Sequence, residues 1–456
     1  MRIEDIKINM PDKVAEILDT LHKAGYEAYI VGGCVRDSIL GRAPEDWDIT
    51  TSALPLEVKK LFRRTIDTGI KHGTVTIMDG KEGFEVTTYR LDGVYEDHRH
   101  PKEVTFTRSL IEDLKRRDFT INAMAYNDKE GLIDEFDGLK DLEEKIIRCV
   151  GEPAKRFEED ALRILRAVRF SGQLGYVIDD ATQKAANSLA ETLSKISAER
   201  IQTEFIKMMI SPHPEVMRDA YELGITKVFL PEFDECMECP QNTVHHSYNV
   251  GEHMIRSAME VPCDKVLRIT MILHDIGKPR CRTTDERGDH FKNHAIEGAK
   301  MTRGILRRLK FDNATTDRVC NLVKYHDILM TDKLNDRNVR KTLYYVGPDN
   351  FEDLLRVKRA DMLAQSTYQR EEKIKRLMLI DQIGHDILLR GDCLSLKELK
   401  VGGKDLLELG VSPGKEIGNI LNNMLMDVID SPFHNDKDYL IGHLDNYKDM
   451  CTRKQI

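Results

Sequence analysis

Long hydrophobic runs are missing from this sequence of 456 residues. No apolar stretch approaches the roughly 20 residues that a membrane-spanning helix requires. The first residues, MRIEDIKINM, lack the apolar core and the cleavage pattern of a signal peptide. We therefore expect a cytoplasmic protein that has no membrane segment.

Cysteine pairs with metal-ligand spacing are scarce as well. Among nine cysteines, only Cys236 and Cys239 have this spacing. A structural zinc site usually needs four ligands, and no second pair completes the set. We expect free thiols at these positions rather than a zinc site.

An excess of basic residues is also absent. The chain has 69 Lys and Arg residues against 78 Asp and Glu residues, which gives a formal charge of −9. Binding to nucleic acid depends on local patches more than on net charge. The composition therefore does not indicate an RNA-binding protein, and it does not exclude one.

The secondary-structure pattern changes near residue 150. Up to that point, β-rich runs such as YEAYIV, GTVTIM, FEVTTYR and EVTFT are mixed with helical segments. From Gly151 onward the apolar residues follow almost wholly helical periodicity. Residues 231–243, PEFDECMECPQNT, are rich in turn formers and acids, and we predict a linker there. The length corresponds to about two to four domains.

A compact motif, YIVGGCVRDSILGRAPEDWDI, runs from Tyr29 to Ile49. The run before Gly32 and Gly33 predicts a buried strand, and CVRDSIL predicts the start of a helix. Glycines at such a turn let backbone N–H groups approach a phosphate, and Arg36 can add a charged donor. Taken alone, a plain strand-to-helix turn is the simpler explanation of the glycine pair.

Two aspartates separated by one residue follow in EDWDI. If this segment is a strand, Asp46 and Asp48 lie on the same face. Neighbouring carboxylates repel each other unless cations share them, and a pair of Mg²⁺ ions suits phosphoryl transfer. We predict a magnesium site here, with Glu85 from a neighbouring strand as a candidate third carboxylate. A solvated acidic turn is the simpler interpretation of the two aspartates alone.

The order of these motifs resembles a known family. Gly-Gly-x-x-x-Asp followed by Asp-x-Asp is similar to the signature of DNA polymerase beta-like nucleotidyltransferases. RRDFTINAMAY and EEDALRILRAVRF resemble the ribose-contact and nucleobase-reading motifs of class II tRNA nucleotidyltransferases and bacterial poly(A) polymerases. The resemblance implies an α+β fold, in which a mixed sheet with helices is followed by an all-α remainder. It also implies nucleotide contacts from Gly32, Gly33, Arg36 and Arg117.

The helix predicted over EDALRILRAVRF has an apolar stripe and a polar arc, at about 100° per residue. The stripe consists of Ala161, Ile164, Leu165 and Val168. The arc consists of Asp160, Arg163, Arg166 and Arg169. A solvated charged face with intrahelical pairs is one interpretation of this arc. The family resemblance implies instead that Asp160 and Arg163 read the base, while Arg166 and Arg169 contact base or phosphate.

An Asp/Arg pair has the chemistry to select C and A. Cytosine and adenine each present an amino donor beside a ring-nitrogen acceptor, which match a carboxylate and a guanidinium. Uracil and guanine present the reverse pattern and would leave buried polar groups unpaired.

Two tasks are open within this family, addition of CCA to tRNA and addition of poly(A). The segment YRLDGVYEDHRHPKEVTF resembles the flexible loop that lets one CCA-adding enzyme change from C to A. EDALR also lacks the proline that tends to follow the aspartate in poly(A) polymerases. We therefore expect template-independent CCA addition from CTP and ATP, with poly(A) polymerase as the alternative. A hydrolase with a non-catalytic RNA-binding unit would require a damaged Asp-x-Asp site.

Histidines and aspartates form a second group of candidate ligands, centred on LHDIGK at the end of an apolar helix. Each histidine alone is more simply a core residue, but the ordered set resembles the HD superfamily of metal-dependent phosphohydrolases. The resemblance implies the core ligands His246, His274, Asp275 and Asp361, with the two-metal extras His294 and His326. Imidazole and carboxylate ligands suit Mn, Fe, Ni or Zn. Hydrolysis at this centre is a hypothesis.

These motifs predict four segments along the chain. We expect a nucleotidyltransferase head over residues 1–150, a nucleobase-reading and RNA-binding neck over 151–235, an HD metal-binding domain over 244–370 and a tRNA-binding tail over 371–456. Duplex RNA is recognised mostly through shape and phosphates. The helical regions are the expected tRNA platform, and no dense basic stripe identifies its contact residues.

Overall fold

The computed structural model describes residues 2–93, 104–286, 288–330 and 333–453. The chain divides into two compact units, Met1–Pro231 and Glu232–Ile456. The finer division into head, neck, HD domain and tail stays a prediction. Within the described ranges, no helix combines the length and the apolar character that crossing a membrane requires.

The first unit is built on a mixed sheet. The strands of this unit, in chain order, are β1 (Ala28–Val31), β2 (Ile49–Thr51), β3 (Thr65–Gly69), β4 (Thr74–Asp79), β5 (Glu82–Thr88), β6 (Arg90–Asp92), β7 (Val104–Phe106), β8 (Ala125–Asn127), β9 (Gly131–Ile133), β10 (Ile146–Ile147) and β11 (Val177–Ile178). Seven of them form one sheet in the order β3-β4-β5-β2-β1-β8-β9. Only β2 and β5 pair in parallel within it.

Strand β1 is an interior strand of the seven-stranded sheet. It pairs with β2 on one side and β8 on the other, and all four of its residues are buried. Such burial explains why the strand reads as a continuous apolar run rather than as an alternating one. The predicted strands YEAYIV, GTVTIM, FEVTTYR and EVTFT are confirmed as β1, β4, β5 and β7.

Helices complete the first unit. They are α1 (Asp12–Lys23), α2 (Gly33–Ile39), α3 (Pro55–Leu61), α4 (Leu110–Lys115), α5 (Gly138–Glu144), α6 (Pro153–Glu159), α7 (Leu162–Leu174), α8 (Asp180–Leu189), α9 (Ala198–Met209), α10 (Met217–Glu222) and α11 (Thr226–Phe229). Helices α1, α2 and α3 pack against the sheet, whereas α7 packs on α9 and α6 on α8.

The second unit is helical apart from one short hairpin. Its helices are α12 (Pro231–Met237), α13 (Val250–Met259), α14 (Lys265–Leu273), α15 (Lys278–Cys281), α16 (His294–Arg308), α17 (Asn313–Tyr325), α18 (Asp336–Val346), α19 (Phe351–Ala364), α20 (Arg370–Arg390), α21 (Gly403–Glu408), α22 (Lys415–Asp430), α23 (Lys437–Gly442) and α24 (Leu444–Arg453). The hairpin consists of β12 (Thr283–Asp285) and β13 (Gly288–His290). The predicted α+β class is therefore confirmed. Within the described residues, this hairpin and the short strand β11 are the exceptions to an all-α remainder after residue 150.

The predicted linker over residues 231–243 is wrong in its first half, which forms α12. Proline at the first helical position is favourable because its missing N–H would have no partner there. Phe233 and Cys236, three residues apart, are fully buried. Their burial outweighs the turn-forming composition of the segment. The boundary between the two units nevertheless falls at Pro231.

The ends of the segment YRLDGVYEDHRHPKEVTF form the antiparallel pair β6 and β7. Residues 94–103, in the middle of the predicted C-to-A switching loop, lie outside the described residues. The prediction of a switching loop therefore stays a prediction.

Candidate functional site

Asp46 and Asp48 open onto one pocket of about 700 Å³ in the first unit. The predicted strand over EDWDI is wrong for its first part, because β2 begins only at Ile49. The backbone of Asp48 still continues the pairing, since its carbonyl accepts a hydrogen bond of 3.0 Å from Val31 N. The two carboxylates thus face the same pocket, as expected, although they precede the strand.

Glu85 lies beside this pair through the register of the sheet. Strands β2 and β5 run parallel with Ile49 opposite Val86, so Glu85 stands opposite Asp48. Desolvation by the surrounding protein raises the pKa of Glu85, and the charges of Asp48 and Asp46 add to the shift. The mutual repulsion of the carboxylates is the electrostatic environment that a divalent cation relieves.

The pKa of Asp48 is also raised. Desolvation is the main cause, even though the side chain is accessible from the pocket. The positive charge of Arg117 opposes the shift, and the negative charge of Asp46 adds to it. A raised pKa means that the ionised carboxylate has a higher free energy at this position than it would have in water. A bound cation would remove that cost and favour the ionised form of Asp48.

The glycine pair lies at the wall of the same pocket, between β1 and α2. Gly32 has φ of 79°, a conformation that favours glycine, and a Cβ there would lie 3.1 Å from Arg117 Nη1. Arg36, in the first turns of α2, is 8% exposed. Its Nη1 donates to Asn122 Oδ1 at 2.6 Å, and its Nε and Nη2 donate to the Asp37 carboxylate. Side-chain partners therefore hold this guanidinium at the pocket.

The segment RRDFTINAMAY places a cation and an anion on the pocket wall. Arg117 lines the pocket, and its Nη2 lies 3.4 Å from Asp113 Oδ2. Asp118, which the sequence reasoning missed, accepts from Arg166 Nε at 2.8 Å and from Arg166 Nη2 at 2.5 Å. Burial opposes the charged form of Asp118, but Arg166 outweighs it and holds the pKa well below its usual range.

The predicted base-reading helix is broken at its start. Helix α6 ends at Glu159, Asp160 has extended backbone, and α7 begins at Leu162. The predicted apolar stripe is confirmed, because Ala161, Ile164, Leu165 and Val168 are all fully buried. The polar arc is not a solvated face, since Arg163 and Arg169 are also buried.

Ion pairs hold the two predicted base-reading residues. Arg163 Nη1 donates to Glu159 Oε2 at 2.6 Å, and Arg163 Nη2 donates to the Arg116 carbonyl at 2.8 Å. Asp160 accepts from Arg200, which lies on α9, through both carboxylate oxygens. Neither Asp160 nor Arg163 belongs to the described wall of the pocket around Asp46 and Asp48.

The remaining arginines of α7 do line that pocket. Arg166 and Arg169 are both on its wall, and Glu204 of α9 lies 2.5 Å from Arg169 Nε. The Arg169 guanidinium stands 3.8 Å from the centre of the Phe170 ring. Sequence reasoning missed Glu159, Arg200 and Glu204. Arg200 and Glu204 lie on α9, far along the chain from their partners, and leave no local spacing signal. Glu159 stands four residues before Arg163, a spacing from which this pair could have been predicted.

In the second unit, three histidines converge on Asp275. The Nε2 atoms of His274, His294 and His326 lie 3.3, 3.3 and 3.6 Å from Asp275 oxygens. Each of the three rings donates Nδ1–H to the carbonyl three residues earlier, at 2.8 Å. This bond fixes the tautomer and leaves Nε2 as a lone-pair donor, as in metal-binding histidines.

His253 is an additional candidate ligand that the sequence reasoning missed. Its Nε2 lies 2.9 Å from Asp361 Oδ1 and 3.5 Å from Asp275 Oδ2. The predicted ligand His246 packs its ring against His253, with centres 5.0 Å apart, and lines the adjoining pocket. Burial and the charge of Lys278 lower the pKa of His246 to about 3, which keeps it in the neutral form that metals require.

The two oxygens of Asp275 face different groups. Oδ2 lies near His253 and His274, together with Asp361, whereas Oδ1 lies near His294 and His326. Triads of these residues bring ligand atoms within 4.8 Å of one another. The donor set therefore fits one or two divalent metals that share Asp275.

Cations surround this cluster. Lys278 Nζ lies 2.6 Å from Asp275 Oδ2 and donates to Gln241 Oε1 at 2.7 Å. The adjoining cavity of about 740 Å³ is also lined by Lys373 and Arg376. Positive side chains beside a metal-ligand cluster suit an anionic ligand such as a phosphate ester.

Comparison with family models places the chain among nucleotidyltransferases. A model described as the poly A polymerase head domain matches residues 28–148. A model for an RNA-binding site of polymerase A matches residues 175–237, and one described as tRNA nucleotidyltransferase domain 2 matches residues 294–444.

Curated relatives extend this similarity over the full chain. The CCA-adding enzyme of Lactobacillus helveticus is 36% identical over 453 residues, which cover 97% of this chain and 99% of that enzyme. The CCA-adding enzyme of Lactiplantibacillus plantarum is 37% identical over 426 residues and 93% of each chain.

Solved structures show the same relationship. The CCA-adding enzyme of Bacillus stearothermophilus in complex with CTP aligns with a TM-score of 0.70 and 28% identity, covering 98% of this chain and 100% of its own. The Thermotoga maritima CCA-adding enzyme complexed with tRNA shares the fold, with a TM-score of 0.58, 21% identity and 96% coverage of each chain.

Proposed function

The chain belongs to the family of CCA-adding enzymes, and we propose that its first unit adds C, C and A to the 3′ end of tRNA from CTP and ATP without a nucleic-acid template. The observation that carries this proposal is the opening of Asp46 and Asp48 onto the pocket that Gly32, Gly33 and Arg36 also line. An acidic pair and a phosphate-binding turn in one pocket suit nucleotidyl transfer.

Asp46 and Asp48 would hold Mg²⁺, with Glu85 beside Asp48 in the register of β5 and β2. Bound Mg²⁺ would supply activation of the attacking 3′ hydroxyl and neutralisation of the triphosphate. The raised pKa values of Asp48 and Glu85 support this role, because desolvation first and the neighbouring carboxylates second disfavour their charged forms, and a cation would offset both effects.

Arg36 and Arg117 would bind the triphosphate. Both line the pocket of the aspartates, and the backbone at Gly32 and Gly33 has no Cβ to block a phosphate. Arg36 is oriented by Asn122 before any nucleotide arrives. Such preorganisation lowers the cost of ordering the side chain during the reaction.

Asp160 and Arg163 would select the base. Glu159 anchors Arg163, and Arg200 anchors Asp160 at 2.7 Å through Oδ2. A carboxylate oxygen has two lone pairs, so Oδ2 can accept from a base amino group while it also accepts from Arg200. Arg166 and Arg169 continue the cationic track into the pocket and would contact base or phosphate.

Extension of a tRNA that lacks its 3′ CCA tests this proposal. Incubation with CTP and ATP, followed by sequencing, should yield a terminal CCA. Asp46→Asn should abolish extension, whereas Glu45→Gln, which removes the neighbouring exposed charge on the same pocket wall, should retain most of it. A long A tract would identify a poly(A) polymerase, and the absence of any extension would contradict nucleotidyl transfer altogether.

The second unit supports a second activity, hydrolysis of phosphate esters by an HD-type metal centre. The observation that favours it is the convergence of His253, His274, Asp275 and Asp361, with His294 and His326 on the other oxygen of Asp275. A bound divalent ion such as Ni, Mn, Fe or Zn would activate a water and polarise the phosphate. Lys278 and Lys373 would attract the anionic substrate to the cavity.

Purified protein given Ni²⁺ or Mn²⁺ should bind the metal in calorimetry and hydrolyse a 2′,3′-cyclic nucleotide. His274→Ala and Asp275→Ala should lose both properties while they keep CCA addition. His385→Ala is a matched control, because His385 belongs to an exposed cluster with Glu352 and Asp381. Absence of turnover with every divalent ion would remove the hydrolase activity and leave the nucleotidyl transfer untouched.

A further inference from the structure

A groove of about 890 Å³ runs between α16 and α17 and ends at α18 in the second unit. We call it the α16–α17 groove, and its chemically active wall consists of Lys300, Arg303, Arg307, Lys324, Tyr325 and Tyr345. Neither the nucleotidyltransferase pocket nor the metal cluster uses any of these side chains. Its combination of cations and aromatic rings calls for an explanation of its own.

The cations form a track along one face of α16. Lys300, Arg303 and Arg307 follow each other at intervals of three and four residues, which places them on the same side of the helix. Lys324 of α17 faces them across the groove. Asp317 compensates one of the four charges, through an ion pair of 2.7 Å with Arg303.

The other charges face solvent. Lys300 is 70% exposed and forms an ion pair of 3.3 Å with Glu297 on its own helix, at the surface. Among the residues that the structure describes, neither Arg307 nor Lys324 forms an ion pair. A local positive surface on a chain of formal charge −9 favours a polyanionic ligand at this position.

Two tyrosines form the aromatic end of the groove. The rings of Tyr325 and Tyr345 are stacked, with centres 5.9 Å apart and an angle of 16° between their planes. Lys324 Nζ lies 4.8 Å from the centre of the Tyr325 ring. Tyr345 is 43% exposed, so part of its side chain is accessible to a ligand. Solvent-accessible aromatic rings beside cations are the standard means by which proteins bind unpaired bases.

We propose that the α16–α17 groove binds single-stranded RNA, with phosphates on Arg307 and Lys324 and a base stacked on Tyr345. Duplex RNA would use the cations alone, because its bases are already stacked on each other. An acidic protein segment would also meet the cations but would gain little from the stacked tyrosines. The aromatic pair therefore favours an unpaired RNA strand over both.

The groove and the metal cluster share the same helix pair. His294 begins α16 and His326 directly follows α17, and their Nε2 atoms lie 3.3 Å apart. A strand bound in the groove is therefore held on the helices that carry two of the candidate metal ligands. The proposal does not depend on hydrolysis, because RNA binding is measured without any turnover.

Fluorescence anisotropy of the full chain with a labelled single-stranded RNA of about 12 nucleotides, within the usual range of site sizes, tests the groove. Tyr345→Ala should weaken binding about tenfold, and Tyr345→Phe should bind as the parent does, since stacking needs the ring and not the hydroxyl. The double substitution of Arg307 and Lys324 by alanine should weaken binding and reduce the salt slope by about 0.7 for each phosphate that is no longer neutralised.

Tyr248→Ala is the matched control, because Tyr248 is 36% exposed and also lies against a cation, Arg256, 4.1 Å from its ring centre. It should leave RNA binding unchanged. Unchanged binding in Tyr345→Ala and in the double variant would overturn the proposal. So would an equal loss of affinity for labelled polyglutamate, which would identify a general anion surface. A melting temperature equal to that of the parent protein establishes that each variant is folded.

Discussion

Replacing Arg200 by alanine tests how Asp160, the aspartate proposed to read the base, is held. Asp160 Oδ1 accepts from Leu162 N at 3.1 Å and from Arg200 Nη1 at 3.3 Å, and Asp160 Oδ2 accepts from Arg200 Nη2 at 2.7 Å. The substitution removes two of these three hydrogen bonds. The carboxylate then keeps only its bond to the backbone of α7 and can rotate away from the base.

The structure sets the size of the effect. Hydrogen bonds to charged groups contribute about 1.5–3 kcal/mol. The side chains of Arg200 and Asp160 are 26% and 18% exposed, so water replaces part of the interaction that is removed. We therefore expect a loss at the low end, about 1.5 kcal/mol, and every 1.4 kcal/mol corresponds to about a factor of ten. Selectivity for CTP over UTP should fall about tenfold.

The assay is kcat/KM for CTP and for UTP on a tRNA that lacks its 3′ CCA. Arg200→Lys keeps the charge but not the two-pronged geometry, and should recover part of the selectivity. Glu199→Gln, an exposed neighbour on α9, is the control. If Arg200 only stabilises the fold, both kcat/KM values fall together and their ratio stays constant, and that result would refute the reasoning.

Two further predictions concern stability. Gly384→Ala should destabilise the second unit by about 1–3 kcal/mol in thermal melts, because the added Cβ would lie 2.3 Å from two ring carbons of Phe351. Gly418→Ala is the control. It has open space around the added Cβ and should be neutral or stabilising. Asp118→Asn should cost about 1.5–3 kcal/mol at neutral pH, because it removes the charged partner of Arg166, which is 32% exposed and keeps Glu204 at 3.7 Å. Since the folded-state pKa of Asp118 is lowered, its stabilisation is present above the unfolded pKa of about 3.9 and is lost as the pH falls below it, so melts of parent and variant should converge in acid.

Local sequence pattern was sufficient for the elements that build the pocket of Asp46 and Asp48. The apolar run before Gly32 predicts β1, and the glycines with CVRDSIL predict the turn into α2, because both depend only on neighbouring residues. The shared orientation of Asp46 and Asp48 was also predictable. The start of β2 was not, since strand ends depend on which partner strands reach them.

The partners that hold the site were beyond local reasoning. Asp118 and Arg166 are 48 residues apart in the chain, and Asp160 and Arg200 are 40 apart. Local spacing could not reveal these two ion pairs, because the partners are far more than one helix turn apart in the chain. The packing of α7 against α9 makes Asp160 and Arg200 neighbours, whereas Asp118 comes from the segment after α4 and meets Arg166 of α7. Burial then turns each charge into a constraint on its partner.

The same limit explains the missed histidine of the second unit. The segment HHSYNVGEH offers three histidines, and the resemblance assigned the metal role to His246. His253 lies seven residues further on, about two turns of helix, inside α13 where a buried histidine reads as an ordinary core residue. The packing of α13 against α14 and α19 gives it Asp361 at 2.9 Å and His274 at 3.3 Å. A ligand set drawn from several helices is therefore a property of their packing, and His253→Ala should lower metal affinity at least as much as His246→Ala.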